Sequence, residues 1–177
     1  MLKDVHAFEA GLDPHPANYV PLSPVSFLNR AASAFAEKIA VIDGPRSYTY
    51  AQLLDRCVRL ASALAALGVG RLDTVAIIAS NIPEMIEAHF AVPMLGAVLN
   101  PLNTRLDAAN IAFSLAHGGA KVLIVDGDYA PLVRQALEQV DHEHVVLQLD
   151  ACNSDQRGKL AVCNQHLGAA VIKRERN

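Results

Sequence analysis

The chain has 177 residues, enough for one domain or part of a larger one, and 52% hydrophobic against 19% charged residues is globular rather than disordered. Its formal charge of -3 gives no electrostatic footprint for nucleic acid or for an anionic membrane surface. The most apolar stretches, 60–70 and 91–99, are interrupted by Gly or Pro and fall short of the roughly 20 residues a membrane span requires.

The start, MLKDVHAFEAGLDPHP, carries Asp and Glu and lacks the apolar core of a secretory signal. Residues 1–22 hold Pro14, Pro16 and Pro21 with no sustained period, and read as an extended lead-in. Ser23 before Pro24 is an N-cap and first-turn pair. Phe27, Leu28, Ala31, Ala34 and Phe35 recur at helical spacing and predict a helix to about residue 37. IAVID (39–43) is a short β-branched strand, Gly44-Pro45 turns the chain, and 47–50 returns as its hairpin partner. Thr49 with Gln52 three positions on makes a capping box, which satisfies two otherwise orphaned amide donors. The helix it opens carries Leu53, Leu54, Cys57, Leu60, Ala61, Leu64 and Leu67, with Gly68 expected as its left-handed cap.

From Asp73 onward strands and helices alternate. TVAIIAS (74–80) is a continuous apolar run, the mark of a strand buried on both faces. Asn81 is the expected cap of the next helix, with Pro83 and Glu84 in its first turn. Pro93 should kink or end that helix, because it removes a hydrogen bond from the ladder. AVLN (97–100) follows as a strand, then a helix over 107–117 capped by Asp107 and stopped by Gly118-Gly119. KVLIVD (121–126), a helix over about 129–140 and HVVLQLD (144–150) complete the pattern. Such alternation implies right-handed crossovers and an α/β fold with a mostly parallel sheet, the early hairpin at its side. The segment 151–177 has no clear period, so the chain divides into a lead-in (1–22), an ordered part (23–150) and a divergent, weakly ordered tail (151–177).

Few residues invite a chemical role. GVGRLD (68–73) partly matches a dinucleotide glycine motif, but Asp73 stands in place of the third glycine. It also follows a helix and precedes a strand, the reverse of what pyrophosphate binding needs, so a helix-ending turn is the preferred reading. RGK (157–159) is no phosphate loop, with Asn153 where its first glycine belongs and Leu160 in place of Ser/Thr. His142, His144, Cys152, Cys163 and His166 lack the paired tight spacing of a zinc site. Cys57, Cys152 and Cys163 make no disulfide framework either, so a reducing cytoplasm is the expected compartment. His89, which could line a ligand pocket, reads better as a buried structural histidine with a backbone partner. Asp126, at the carboxyl end of a strand, reads as a helix cap. There is no Gly-x-Ser-x-Gly elbow and no Cys–His arrangement. No catalytic, cofactor-binding or metal residue is nominated.

The order of elements and several motifs carry a resemblance. "SYTYAQL", "GVGRLDTVA", "NIPE" and the run EAHFAVPMLGAVLNPLNTRLDAANIAFSLAHGGAKVLIVD resemble the amino-terminal region of acyl-CoA synthetases of the adenylate-forming superfamily, from Tyr19 to about Val133. The long run is most similar to the subgroup acting on short- and medium-chain fatty acids, aryl acids and 3-methylmercaptopropionate. The resemblance implies an incomplete part of a large amino-terminal α/β domain. For the full-length family it implies ATP, magnesium, CoA and a small carboxylic acid, joined through an acyl-adenylate.

The family's Ser/Thr/Gly-rich phosphate loop ending in Pro-Lys-Gly, its ribose-binding aspartate and the lysine of its mobile domain have no counterpart in this sequence. The chain alone is therefore expected to bind no cofactor and to catalyse no ligation, whether it is a fragment or the product of a frame change near Asp150. Bared sheet edges and apolar faces predict low solubility, self-association or pairing with the missing remainder. The alternative is a non-catalytic interaction module or one half of a split synthetase.

Overall fold

The computed structural model describes residues 15, 19, 22–140, 145–149 and 170–171. Helix α1 (Pro24–Ala34) starts where expected, Ser23 Oγ accepting from the Ser26 amide, and ends earlier, because Phe35 leaves helical geometry. Strands β1 (Ile39–Asp43) and β2 (Arg46–Thr49) form an antiparallel hairpin. Helix α2 (Tyr50–Ala66) opens with the full capping box: Thr49 Oγ1 accepts from the Gln52 amide (3.3 Å) and Gln52 Oε1 from the Thr49 amide (2.9 Å). It closes on Gly68 at φ +80°, where the Gly68 and Val69 amides return to Ala65 and Leu64 carbonyls. That double return satisfies carbonyls the helix end would leave bare.

The main sheet begins with β3 (Thr74–Ile78) and continues through α3 (Pro83–Met94), β4 (Val98–Pro101), α4 (Ala108–His117) and β5 (Ala120–Asp126). A single 3-10 turn (Gly127–Tyr129), α5 (Ala130–Leu137), β6 (Val145–Leu149) and a two-residue strand β7 (Ala170–Val171) follow. The spatial order is β4-β3-β5-β6-β7; the first four strands are parallel and β7 is antiparallel.

That order explains the layers. The chain steps from β3 outward to β4, then reverses past β3 to β5 and β6. Right-handed crossovers taken in opposite directions put their helices on opposite faces. Thus α3 lies with α1, α2 and the hairpin on one face, and α4 and α5 cover the other. The strands alternate accordingly: Val75, Ile77, Val122 and Ile124 point to the first face, and Ala76, Ile78, Leu123 and Val125 to the second. All are buried, as a sheet covered on both sides requires.

Two helix boundaries differ from or refine the sequence reading. The N-cap of α3 is Ile82, not Asn81, and no side chain caps it. Pro83 forces the preceding residue into extended geometry, so the cap falls one residue later than expected and the helix starts at Pro83. Pro93 sits in the last turn, and the helix ends one residue later, with Gly96 at φ +68°.

Candidate functional site

In an open parallel sheet ligands collect outside the carboxyl ends of the strands, at the point where strand order reverses. Here that point lies between β3 and β5. It is bridged by a hydrogen bond of 3.0 Å between Ser80 Oγ, beyond β3, and the Tyr129 hydroxyl, beyond β5. A phosphate at this place would need free amides at a helix N-terminus and no competing negative charge. Helix α3 offers Pro83, which has no N–H, and the Glu84 carboxylate in its first turn. Beyond β5, Asp126 accepts from the Asp128 amide (3.4 Å), Asp128 adds a second carboxylate, and Pro131 removes another donor. Proline at both helix starts, with the Asp126 and Asp128 carboxylates beyond β5, disfavours an anion.

The residues singled out in the sequence fall as follows. The segment 68–73 is the helix-ending turn expected: the Gly70 amide donates to Asp73 Oδ2 (2.8 Å) and Lys121 Nζ donates to the same oxygen (3.0 Å). The Gly70 bond first, and Lys121 second, hold the Asp73 carboxyl below its ordinary range. Asp126 is the cap of the 3-10 turn. His89 has its backbone partner, Nδ1 lying 2.8 Å from the Met85 carbonyl, but it is exposed rather than buried. Its position on α3 turns away from the apolar stripe of Ala88, Ala91 and Val92. Burial pushes the Cys57 thiol up to about 12, so it is a core side chain and not a nucleophile. His142, His144, Cys152, Cys163, His166 and the RGK segment lie outside the described residues. Among the described residues no cluster of His, Cys, Asp and Glu could hold a metal ion.

The structure also assembles a group the sequence reading missed. Arg56 of α2 donates through Nε to Glu87 Oε1 of α3 (2.5 Å), and its Nη2 lies 3.5 Å from Glu84 Oε1. Arg46 of β2 donates to the same Glu84 oxygen (3.2 Å) and pairs with Asp43 of β1. The Arg56 guanidinium lies over the Tyr48 ring, 4.7 Å from its centroid. Glu87 is fully buried, and Oε2 of both Glu84 and Glu87 is buried without a partner. Burial pushes the Glu87 carboxyl up to about 7, against the pull of Arg56. One signal was available: Glu84 and Glu87 share the helical phase of Ala88, Ala91 and Val92, the buried stripe of α3.

Residues 28–173 match the AMP-binding enzyme family, a match that runs past Val133 into the tail. The peroxisomal butyrate–CoA ligase of Arabidopsis thaliana is 48% identical over 70% of this chain and 22% of its own length. The peroxisomal trans-cinnamate:CoA ligase of Petunia hybrida is 49% identical over 69% of this chain and 21% of its own. Among solved structures, a benzoate CoA ligase from Burkholderia xenovorans superposes with a TM-score of 0.65 at 30% identity, over 71% of this chain and 26% of that one. The chain thus spans between a fifth and a third of the relatives it matches.

Proposed function

The chain belongs to the AMP-binding enzyme family, and on that ground we propose that it is the amino-terminal portion of an ATP-dependent acid–CoA ligase. The reaction proposed for the whole protein activates a carboxylate as its acyl-adenylate, with magnesium and release of pyrophosphate. CoA thiol then displaces AMP to give the thioester. The observation that carries this reading is the family match over residues 28–173. The relatives' names point to a small acid, short-chain or aryl, as the substrate class.

Within that protein this stretch is scaffold. Charge developing on a transferring phosphoryl group needs amides, hydroxyls and cations around it. The two helix starts beside the sheet's switch point carry proline instead, and the Asp126 and Asp128 carboxylates beyond β5 repel ATP phosphate. We therefore derive no catalytic step through residues 22–140, and the chain by itself is inactive.

An ATP–pyrophosphate exchange assay on the purified 177-residue chain with butyrate, benzoate and medium-chain acids should give no turnover. Robust exchange would overturn the scaffold role. Grafting the chain in place of the matching segment of the Arabidopsis butyrate–CoA ligase should preserve thioester formation, and a well-folded but dead chimera would count against the family function.

Exposed Leu22, Ile42, Leu72 and Phe113, together with Val98 on the free edge of β4, support self-association or pairing with the rest of such an enzyme. Sedimentation of a monodisperse monomer would argue against it. No helix of the described residues is long and apolar enough to cross a membrane. Cysteine usage supports the cytoplasm as the compartment, the plant relatives' names set the peroxisome as its rival, and imaging of a tagged chain separates the two.

A further inference from the structure

The group around Arg56 holds two guanidinium side chains, Arg46 and Arg56, against three carboxyls, Asp43, Glu84 and Glu87. Fully ionised it carries one uncompensated negative charge. Glu87 is shut away from water, and one oxygen of each of Glu84 and Glu87 is buried with no partner. A single proton removes the excess charge and turns one of the carboxyls into a donor. From α2 come Arg56 and Cys57, and from the hairpin Asp43, Arg46 and Tyr48. The charged residue of α1, Arg30, is exposed, and β3 and β4 carry no charged side chain. Arg59 of α2 is exposed and paired with Asp55, so among the described residues no further cation is at hand to balance the cluster.

We propose that Glu87 is a proton-operated latch: with its proton in place the β1–β2 hairpin stays locked on α2 and α3, and loss of that proton lets water in beneath the hairpin. The hairpin is the side that yields, since Asp43 is the most exposed member of the cluster and the two-stranded hairpin is not hydrogen-bonded to the main sheet.

The direction with pH follows from the burial of Glu87. Its folded-state carboxyl titrates at about 7, whereas an exposed glutamate titrates near about 4.3. Between those values the folded chain holds a proton that the unfolded chain has lost. Stability is therefore greatest at the acid end of this window, falls as pH rises, and levels off above about 7.

Hydrogen exchange on the full chain and on Glu87→Gln, which mimics the protonated acid, tests this. Between about pH 6 and pH 8 the folding equilibrium of the unmodified chain should weaken about tenfold more than that of the variant. The amides of β1 and β2 should gain exchange before those of β5. Equal pH slopes in the two chains would overturn the proposal. Should the variant fail to fold, infrared spectroscopy of the unmodified chain decides: a protonated-carboxyl band present near pH 6 and gone by pH 8 is expected, and its absence at pH 6 rejects the latch.

Discussion

The two faces of the central sheet are built from alternate residues of the same strands, yet they are held by different physics. The face under α4 and α5 is apolar throughout, with Ile111, Leu115, Leu123, Val125 and Val133 all buried. The face under α2 and α3 has an apolar base of Val75, Ile77, Val122 and Ile124, but between its helices and the hairpin lies a buried charge cluster. An apolar contact is non-directional and tolerates small shifts. A buried ion group is worth little net and costs much when broken, because each charge left alone has lost its water. The first face therefore supplies bulk stability, and the second fixes how the hairpin and helices sit.

Breaking one member should expose that difference most. Arg56→Met removes the donor that faces both glutamates and the cation above Tyr48, leaving Glu87 buried without its pair. We expect a loss of about 3–5 kcal/mol above about pH 8, where Glu87 is ionised, measured by urea denaturation, with partial recovery as falling pH protonates Glu87. A loss below about 1 kcal/mol would place the cluster with ordinary surface pairs. On the opposite face Leu115→Ala, at a fully buried site, should cost about 2–5 kcal/mol. Its cost should not change between about pH 5 and pH 8, since the buried residues of that core are all aliphatic. A pH-dependent Leu115→Ala penalty would blur the contrast.

How much of each face was legible in the sequence follows from the range of the interactions. The caps at Ser23, Thr49, Gly68 and Asp107 are local: both partners lie within a few residues, and all appear where the sequence puts them. The apolar face is legible for the same reason, since the runs 74–78 and 120–126 need only their own composition to read as buried strands. The charge cluster is not. Arg46 and Glu84 stand 38 positions apart, and nothing local says that the hairpin folds back over α3. Asn81 has the chemistry of a cap, but Pro83 holds residue 82 in extended geometry, and that constraint decides where the helix begins. His89 keeps the expected backbone partner, but the helix turns that position outward, so it is exposed rather than buried.

Matched cap deletions sharpen the comparison at a smaller scale. Thr49→Ala at the start of α2 and Asp107→Ala at the start of α4 each remove one side-chain acceptor. Each should cost about 1 kcal/mol. Thr49 sits at the joint between β2 and α2, so its loss should also quicken hydrogen exchange in the hairpin, while Asp107→Ala should leave the hairpin unchanged. Equal effects on the hairpin from both variants would mean that the faces are not mechanically distinct.

The smallest expected change in stability is the most discriminating. Replacing the buried pair together, Arg56→Met with Glu87→Leu, removes both charges and fills the space with apolar atoms of similar size. If burial of unbalanced charge is the weakness of this face, the double variant should be within about 1 kcal/mol of the parent or more stable, unlike Arg56→Met alone. Glu84 then keeps Arg46 as its partner, and with Glu87 gone the stability profile should lose its decline between about pH 5 and pH 7. The hairpin should still pack, since Val41 and Leu53 remain in the core. Its orientation over α3 should become less unique, seen as broadened amide resonances for residues 39–49. A double variant as unstable as the single one would mean that the guanidinium stem, and not its charge balance, holds the two helices together.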